Sequence, residues 1–213
     1  MNKVITIVFG VALLAMTTQA NAVLLSMLPA SQTAESGDTV SLDLIIGDLT
    51  DGGADSLGDF DIDIAYDDSR LSFMGYTLGG FLGDLGLGEA VDFSGGDLGG
   101  GIINLAEVSL LEPDMVSCFF CLSPYLDDIQ PSSFIMATLD FMVDVLPVGT
   151  STTVSIDTVH ALGDGFGDPL AYSTSDAVIR NPSIVSVPTP AVFVLFAMGF
   201  MGLTLLRQRR LEA

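Results

Sequence analysis

His160 is the only histidine in the chain, so any catalytic triad or imidazole-centred metal site must include it. A Ser-His-Asp arrangement needs a poised serine beside the imidazole, and no Gly-x-Ser-x-Gly elbow occurs. His160 falls near the end of a β-patterned run, where a lone histidine reads as structural. A zinc site built on cysteine would need two ligands besides Cys118 and Cys121, and one histidine is too few. In Cys118-Phe119-Phe120-Cys121 the spacing suits a short disulfide that pins a loop, provided folding occurs in an oxidising compartment. Free thiols are the other reading. A thioredoxin-type redox pair needs a βαβ setting that this chain lacks.

Carboxylates are the abundant reactive groups. Pairs of them serve glycoside hydrolysis, yet nearly all the aspartates here sit in turn compositions or at outward strand positions. Glu107 differs, because it lies inside the apolar run Ile102–Leu110. A partner or an edge position explains it as well as catalysis does. Asp48, Asp51 and Asp55 crowd one Gly-rich loop, and Asp164 and Asp168 bracket another turn. Calcium takes several oxygen ligands from flexible loops of this kind. Turn geometry alone also selects aspartate, and neither loop follows the EF-hand order. Weak or structural Ca2+ binding is the most these residues imply. There is no Gly-rich phosphate loop with its lysine, so no catalytic residue is assigned and the chain reads as a non-enzyme.

The elements that would position these groups are strands. Val40, Leu42, Leu44 and Ile46 alternate with Ser41, Asp43 and Ile45; Phe60, Ile62, Ile64 and Tyr66 alternate with Asp59, Asp61, Asp63 and Ala65. This period of two marks half-buried strands. A longer inward row is expected at Ile135, Ala137, Leu139, Phe141, Val143 and Val145. Further strands are expected at Val23–Leu28, Leu71–Leu78, Ala90–Phe93, Ile102–Leu110, Thr152–Ala161 and Ala177–Val187. Gly-, Asp- and Ser-rich stretches at Gly47–Gly58, Gly79–Gly88, Ser94–Gly101 and Gly163–Asp168 read as turns and loops. Many short strands without an amphipathic helix predict an all-β, antiparallel sandwich or jelly roll.

Two terminal segments stand apart from this domain. Residues 1–22 have a basic Lys3, an apolar run Val4–Met16 and the small-residue ending Ala20-Asn21-Ala22, the pattern of a secretory signal peptide. Near the other end, Ala191–Leu206 carries no charge on any face. Its 16 residues, extended back through Pro190 and the preceding Val187-Pro188-Thr189, reach the ~20 that cross a bilayer. The helix is placed at 190–206 with the motif Val187–Thr189 ahead of it, and Arg207, Arg209 and Arg210 hold the following end on the cytoplasmic side. The domain organisation is signal 1–22, sandwich 23–186 and tail 187–213. The ectodomain would sit in the periplasm, anchored to the inner membrane, before any transfer to the cell surface or medium.

Between those segments the charge is extreme. The 27 acidic residues include Glu212 in the tail, so 26 face only Arg70 and Arg180, a net charge of −24. Such a surface repels phosphates and anionic headgroups, which excludes nucleic acid as a partner, and it attracts cations.

Val187-Pro188-Thr189-Pro190, the hydrophobic span and the arginine-rich end resemble the PEP-CTERM sorting signal, with Thr189 where that motif has Glu. The resemblance implies an exosortase-type processing enzyme as a partner, in a setting of exopolysaccharide. The middle of the chain has its own resemblance. Ser36-Gly37-Asp38-Thr39-Val40, Leu57-Gly58-Asp59-Phe60-Asp61-Ile62 and the run Ile64–Phe73 resemble the opening strands of a cohesin-type domain. Glu107–Leu111, Gln130–Phe141 and Leu162–Leu170 continue it in order. It implies a nine-stranded jelly roll of the kind shared with carbohydrate-binding modules. Cohesins bind dockerins, and no residue-by-residue match to a dockerin-contact surface is identifiable in the sequence.

Together these features describe an exported, non-catalytic surface or matrix protein, an adhesive or structural module whose partner is a polysaccharide or another surface protein. The alternative is a carbohydrate-binding module with a discrete sugar site. Sugar platforms use exposed aromatics, and the chain has no Trp and four Tyr, of which Tyr125 after the cysteines is expected to be exposed. In the native host, the mature protein is expected at the outer surface or in the medium. Its intact mass should lack Met1–Ala22 and the segment after about Pro190. A mass retaining Arg207, Arg209 and Arg210, in the inner-membrane fraction, would mean that Thr189 blocks processing.

Overall fold

The alternating segments form strands in the computed structural model, which describes residues 22–49 and 56–182. In chain order these are β1 (Val23–Leu28), β2 (Ser31–Thr33), β3 (Thr39–Gly47), β4 (Leu57–Tyr66), β5 (Leu71–Leu78), β6 (Ala90–Asp92), β7 (Gly96–Gly99) and β8 (Ile102–Ser109). A single helical turn α1 (Leu126–Ile129) precedes β9 (Phe134–Val143), β10 (Ser151–Asp164), β11 (Tyr172–Ser175) and β12 (Ala177–Arg180). The expected signal segment, except Ala22, and the expected tail 187–213 lie outside the described residues. Among the described residues no helix is long and apolar enough to cross a membrane.

The strands make two sheets. Sheet A has the order β11-β1-β3-β9-β5; sheet B runs β2-β12-β10-β4-β8-β6, with β7 also paired to β8. Most pairs are antiparallel, but β1–β11 and β2–β12 are parallel. The exception has a simple origin. The β1–β2 and β11–β12 segments run side by side, and each passes from sheet A into sheet B. A strand forms within each of the nine expected segments, although the last, expected at Ala177–Val187, is seen only as Ala177–Arg180, and residues 183–187 lie outside the described residues. β2, β7 and β11 are additional short edge strands, and β7 occupies glycine-rich chain that the composition marked as loop.

The two inner faces supply one core. Leu42, Leu44 and Ile46 of β3, Phe60, Ile62 and Ile64 of β4, Ile103 and Leu105 of β8, and Leu139 and Phe141 of β9 are buried within it. The Tyr66 ring of β4 meets the Phe141 ring of β9 edge-on at 5.3 Å, joining the sheets. The inward row expected on β9 is correct only from Ala137 to Val143. A bulge opposite Leu44 and Ile45 inserts Met136 between Ala137 and Ile135. The extra residue reverses the alternation, so Phe134 and Met136 are buried while Ile135 is exposed. Val145 lies past the strand end and is exposed as well.

Gln130, just after α1, closes one margin of the sandwich. Its Oε1 accepts the Leu57 N–H at 2.8 Å, and its Nε2 donates to the Leu57 and Phe81 carbonyls at 2.8 and 2.9 Å. The side chain is buried, so these backbone groups have little access to water. Gln130→Ala removes all three bonds at once. It is expected to lower stability by about 2–4 kcal/mol, read as a drop in urea midpoint at unchanged m-value.

Candidate interaction surface

Strand β4 divides its side chains between two environments. Phe60, Ile62 and Ile64 point into the core, so Asp59, Asp61 and Asp63 lie on the outer face of sheet B. Asn104 of β8 stands opposite Asp63. Its Nδ2 donates to Asp61 Oδ1 at 2.7 Å and to Asp63 Oδ1 at 2.9 Å, while its Oδ1 accepts the Gly95 N–H at 2.9 Å. His160 reaches the same place from β10. The register jumps between Val159 and Ala161, leaving His160 as the unpaired residue of a bulge. Its Nε2 lies 2.9 Å from Asp63 Oδ2.

The contact moves both groups toward their charged forms. The hydrogen bond to Asp63 raises the His160 pKa; desolvation opposes it, and the charges of Asp63 and Asp61 add to the rise. Partial burial pulls Asp63 upward, but the hydrogen bonds from His160 and Asn104 and the imidazolium charge outweigh it, and its pKa is lowered. Asp61, Asp63 and His160 place one ligand-type atom each within 4.8 Å of one another. Sequence reading treated His160 as structural and the aspartates as an outward row. The available signal was the Asp-x-Asp alternation on a strand, with no local indication that His160 would face it.

At the margin of this face a cleft of about 360 Å3 is lined by Asp59, Val108, Leu126, Asp164 and Phe166, among others. Burial, then the nearby Asp164 charge, raises the Asp59 pKa. Asp164 itself is committed to its turn. Its Oδ1 accepts the N–H groups of Phe166 at 2.8 Å and Asp168 at 2.9 Å, which is turn geometry rather than a poised acid–base pair.

Glu107 is the buried acid. It follows Ile103 and Leu105 on the inward face of β8 and sits across from Phe60. Its exposure is 0%, and neither carboxylate oxygen has a hydrogen-bond partner among the described residues. Desolvation, with a smaller contribution from the Asp92 charge, raises its pKa to about 7.

A third feature projects from the domain between β8 and α1. Cys118 and Cys121 are joined by a disulfide. The Glu112 carboxylate accepts backbone N–H groups from Phe119, Phe120 at 2.7 Å, Cys121 at 2.8 Å and Leu122 at 3.4 Å. Desolvation opposes this, but the four donors prevail and lower the Glu112 pKa. Asp114 Oδ1 similarly accepts from Val116 and Ser117, both at 2.6 Å. The loop so braced holds apolar side chains in water: Val116 is 93% exposed, Phe119 87% and Phe120 74%, beside exposed Met115 and Leu122. The two phenyl rings stand edge-to-face at 4.8 Å.

Comparison with protein-family models and with curated proteins finds no match for this sequence. Comparison of the structure with solved structures does. The sixth cohesin of Acetivibrio cellulolyticus scaffoldin B, solved in complex with a mutant Cel5 dockerin, has a TM-score of 0.56 at 15% identity over 75% of this chain and 99% of its own. The Clostridium thermocellum OlpA cohesin, in a cohesin–dockerin complex, scores 0.55 at 12% identity, with 75% and 99% covered. A type II cohesin domain from the Acetivibrio cellulolyticus cellulosome scores 0.54 at 16% identity, with 75% and 96% covered. The fold is that of a cohesin domain.

Within this cohesin-like domain the residues singled out in the sequence are dispersed. Asp48 follows β3 with a positive φ of 62°, and its loop companions Asp51 and Asp55 lie outside the described residues. Asp164 ends β10 and Asp168 lies in the turn that follows, its N–H donating to Asp164 Oδ1. The sorting residues Val187, Pro188, Thr189, Pro190, Arg207, Arg209 and Arg210 lie outside the described residues. Tyr125, expected to be exposed, is buried instead. It packs just ahead of α1, whose Leu126 enters the interior.

Glu107 generates a pH dependence with a definite sign. Its folded-state pKa is raised, so the fold binds this proton more tightly than the unfolded chain does. The contribution is fully present below the ordinary glutamate range and is lost as pH rises through about 7. The gap from 4.5 to about 7 corresponds to roughly 3 kcal/mol. Glu107→Gln is expected to flatten this part of the stability–pH curve, making the variant more stable than the parent at pH 8 in urea unfolding.

Proposed function

We propose that this chain is an exported, non-catalytic interaction module of a cell surface or extracellular matrix, and that its partner is a protein. The observation that carries this reading is the disulfide-braced loop Met115–Leu122. Exposed apolar side chains are costly in a monomer unless something covers them. Here a disulfide and a carboxylate accepting four backbone N–H groups restrain the loop that displays them. Holding anchor side chains in place before association lowers the entropy lost on binding.

Several considerations support the remainder. The similar cohesins include domains solved with dockerins bound, and this chain shares their fold while displaying an apolar loop at its surface. The Cys118–Cys121 disulfide suits an oxidising compartment outside the cytoplasm. The PEP-CTERM-like tail supplies inner-membrane anchoring and an exosortase substrate before transfer to the surface. A polysaccharide ligand is the lesser reading. Tyr125 is buried, and Phe119 and Phe120 stand edge-to-face rather than as a flat stacking platform.

The test places a photo-crosslinking phenylalanine analogue at position 119 in the native host. A protease-sensitive adduct at one defined mass is expected. An adduct sensitive only to glycan-degrading enzymes, or none above an analogue placed at exposed Val148, would overturn the protein-partner reading. With the partner in hand, Phe119→Ser should weaken binding about 30-fold, the loss typical of a hot-spot side chain worth ~2 kcal/mol.

A further inference from the structure

We propose that Asp61, Asp63 and His160 form a binding site for a divalent transition-metal ion on the outer face of sheet B. The site is distinct from the Met115–Leu122 loop, uses none of its residues, and stands or falls separately.

Each ligand comes from a different demand of the sheet. Asp61 and Asp63 are two residues apart on β4, so the pleat puts them on one face. His160 is delivered by the bulge of β10, which adds a residue between Val159 and Ala161 and turns the imidazole toward Asp63. Asn104, from β8 on the other side, donates one N–H to Oδ1 of each carboxylate. Asn104 is itself held by the Gly95 N–H. This leaves Oδ2 of each aspartate for a cation, and Oδ2 of Asp63 already faces the imidazole Nε2. Such outer hydrogen bonds orient metal ligands and fix their unused oxygen atoms.

The distances suit a small ion. Bonds of ~2.0–2.1 Å in a tetrahedral site put ligand atoms ~3.3 Å apart. The three atoms here lie within 4.8 Å of one another, and Asp63 and His160 are closer than that ideal at 2.9 Å. Rotation about the side-chain torsions of these accessible residues closes the set, with the ion replacing the proton shared by Asp63 and His160. Coordination beyond three ligands is open to solvent.

The donor set also selects the class of ion. One imidazole nitrogen with two carboxylate oxygens favours zinc, cobalt or nickel over magnesium. Calcium seeks six to eight oxygens and gains little from imidazole. Electrostatics favour occupancy as well. Two like charges sit on neighbouring outward positions of one strand, in a domain with 26 acids and two arginines between the terminal segments. Of those arginines, Arg70 is paired with Asp67 at 3.0 Å and Arg180 belongs to β12, separated from β4 by β10. Among the described residues His160 is the cationic side chain that contacts Asp63, and it is also the strongest metal ligand available there.

The experiment titrates zinc chloride into the full untagged chain in detergent, by calorimetry and by NMR of the imidazole. Because the chain has one histidine, its ring resonances report this site alone. One equivalent of zinc is expected to shift the His160 Nε2 resonance. His160→Ala and Asp63→Asn should each weaken the tightest zinc site by at least about tenfold, and Asn104→Ala by about 10–100-fold. Asp140→Asn, on the outer face of sheet A, should leave zinc affinity unchanged. Calcium binding should be the same with and without His160. Zinc affinity unaltered by His160→Ala, or an unmoved His160 resonance at one equivalent, would overturn the site. Matching far-UV spectra and thermal midpoints of the variants separate loss of ligand from loss of fold.

Discussion

The pairing of β4 with β10 on one side and β8 on the other governs most of what this domain can do. A strand in the middle of a sheet presents alternate residues to opposite sides, and both sides of β4 are committed. Phe60, Ile62 and Ile64 meet the side chains of sheet A, whereas Asp59, Asp61 and Asp63 are driven outward by the same pleat. A slip of one residue would bury three carboxylates and expose three large apolar side chains, so the register is strongly determined. Once it is set, the positions of Asn104 on β8 and His160 on β10 follow.

Buried polar groups are treated in two opposite ways. Gln130 is fully engaged, with three hydrogen bonds to backbone groups that water cannot easily reach. Glu107 is fully enclosed but has no partner among the described residues, and it lowers its cost by holding its proton to about pH 7. The first strengthens one margin of the sandwich at all pH values. The second makes the core responsive to pH in a domain whose surface charge already favours acidic or cation-rich surroundings.

Much of the architecture was legible because period-two alternation is local. β3 and β4 could be read residue by residue, and a strand forms within each expected segment, the last of them shorter than expected. The failures have specific causes. β2, β7 and β11 are short edge strands whose polar or glycine-rich sequences look like loop, and they pair only because a neighbouring strand offers free backbone groups. Ile135 was assigned inward because alternation was assumed unbroken, but Met136 occupies a bulge that depends on the partner strand β3. Tyr125 was taken as exposed from its loop composition, whereas α1 turns that segment inward. The apolar pair Phe119-Phe120 was visible, but its exposure was not.

Composition and patterning alone determined the all-β class, the acidic surface, the inner rows of β3 and β4, and a cysteine pair close enough to bridge. These are properties of neighbouring residues, and short-range chemistry is sufficient to express them. The tertiary structure decided which distant residues meet. Asp63 and His160 are 97 positions apart and come within 2.9 Å because a bulge in β10 re-aims one side chain at a register set by β4. Likewise, 73 positions separate Leu57 from Gln130, whose side chain serves its backbone. Such contacts arise from strand register and sheet packing, which balance burial over the whole chain and leave no mark in any local window of sequence.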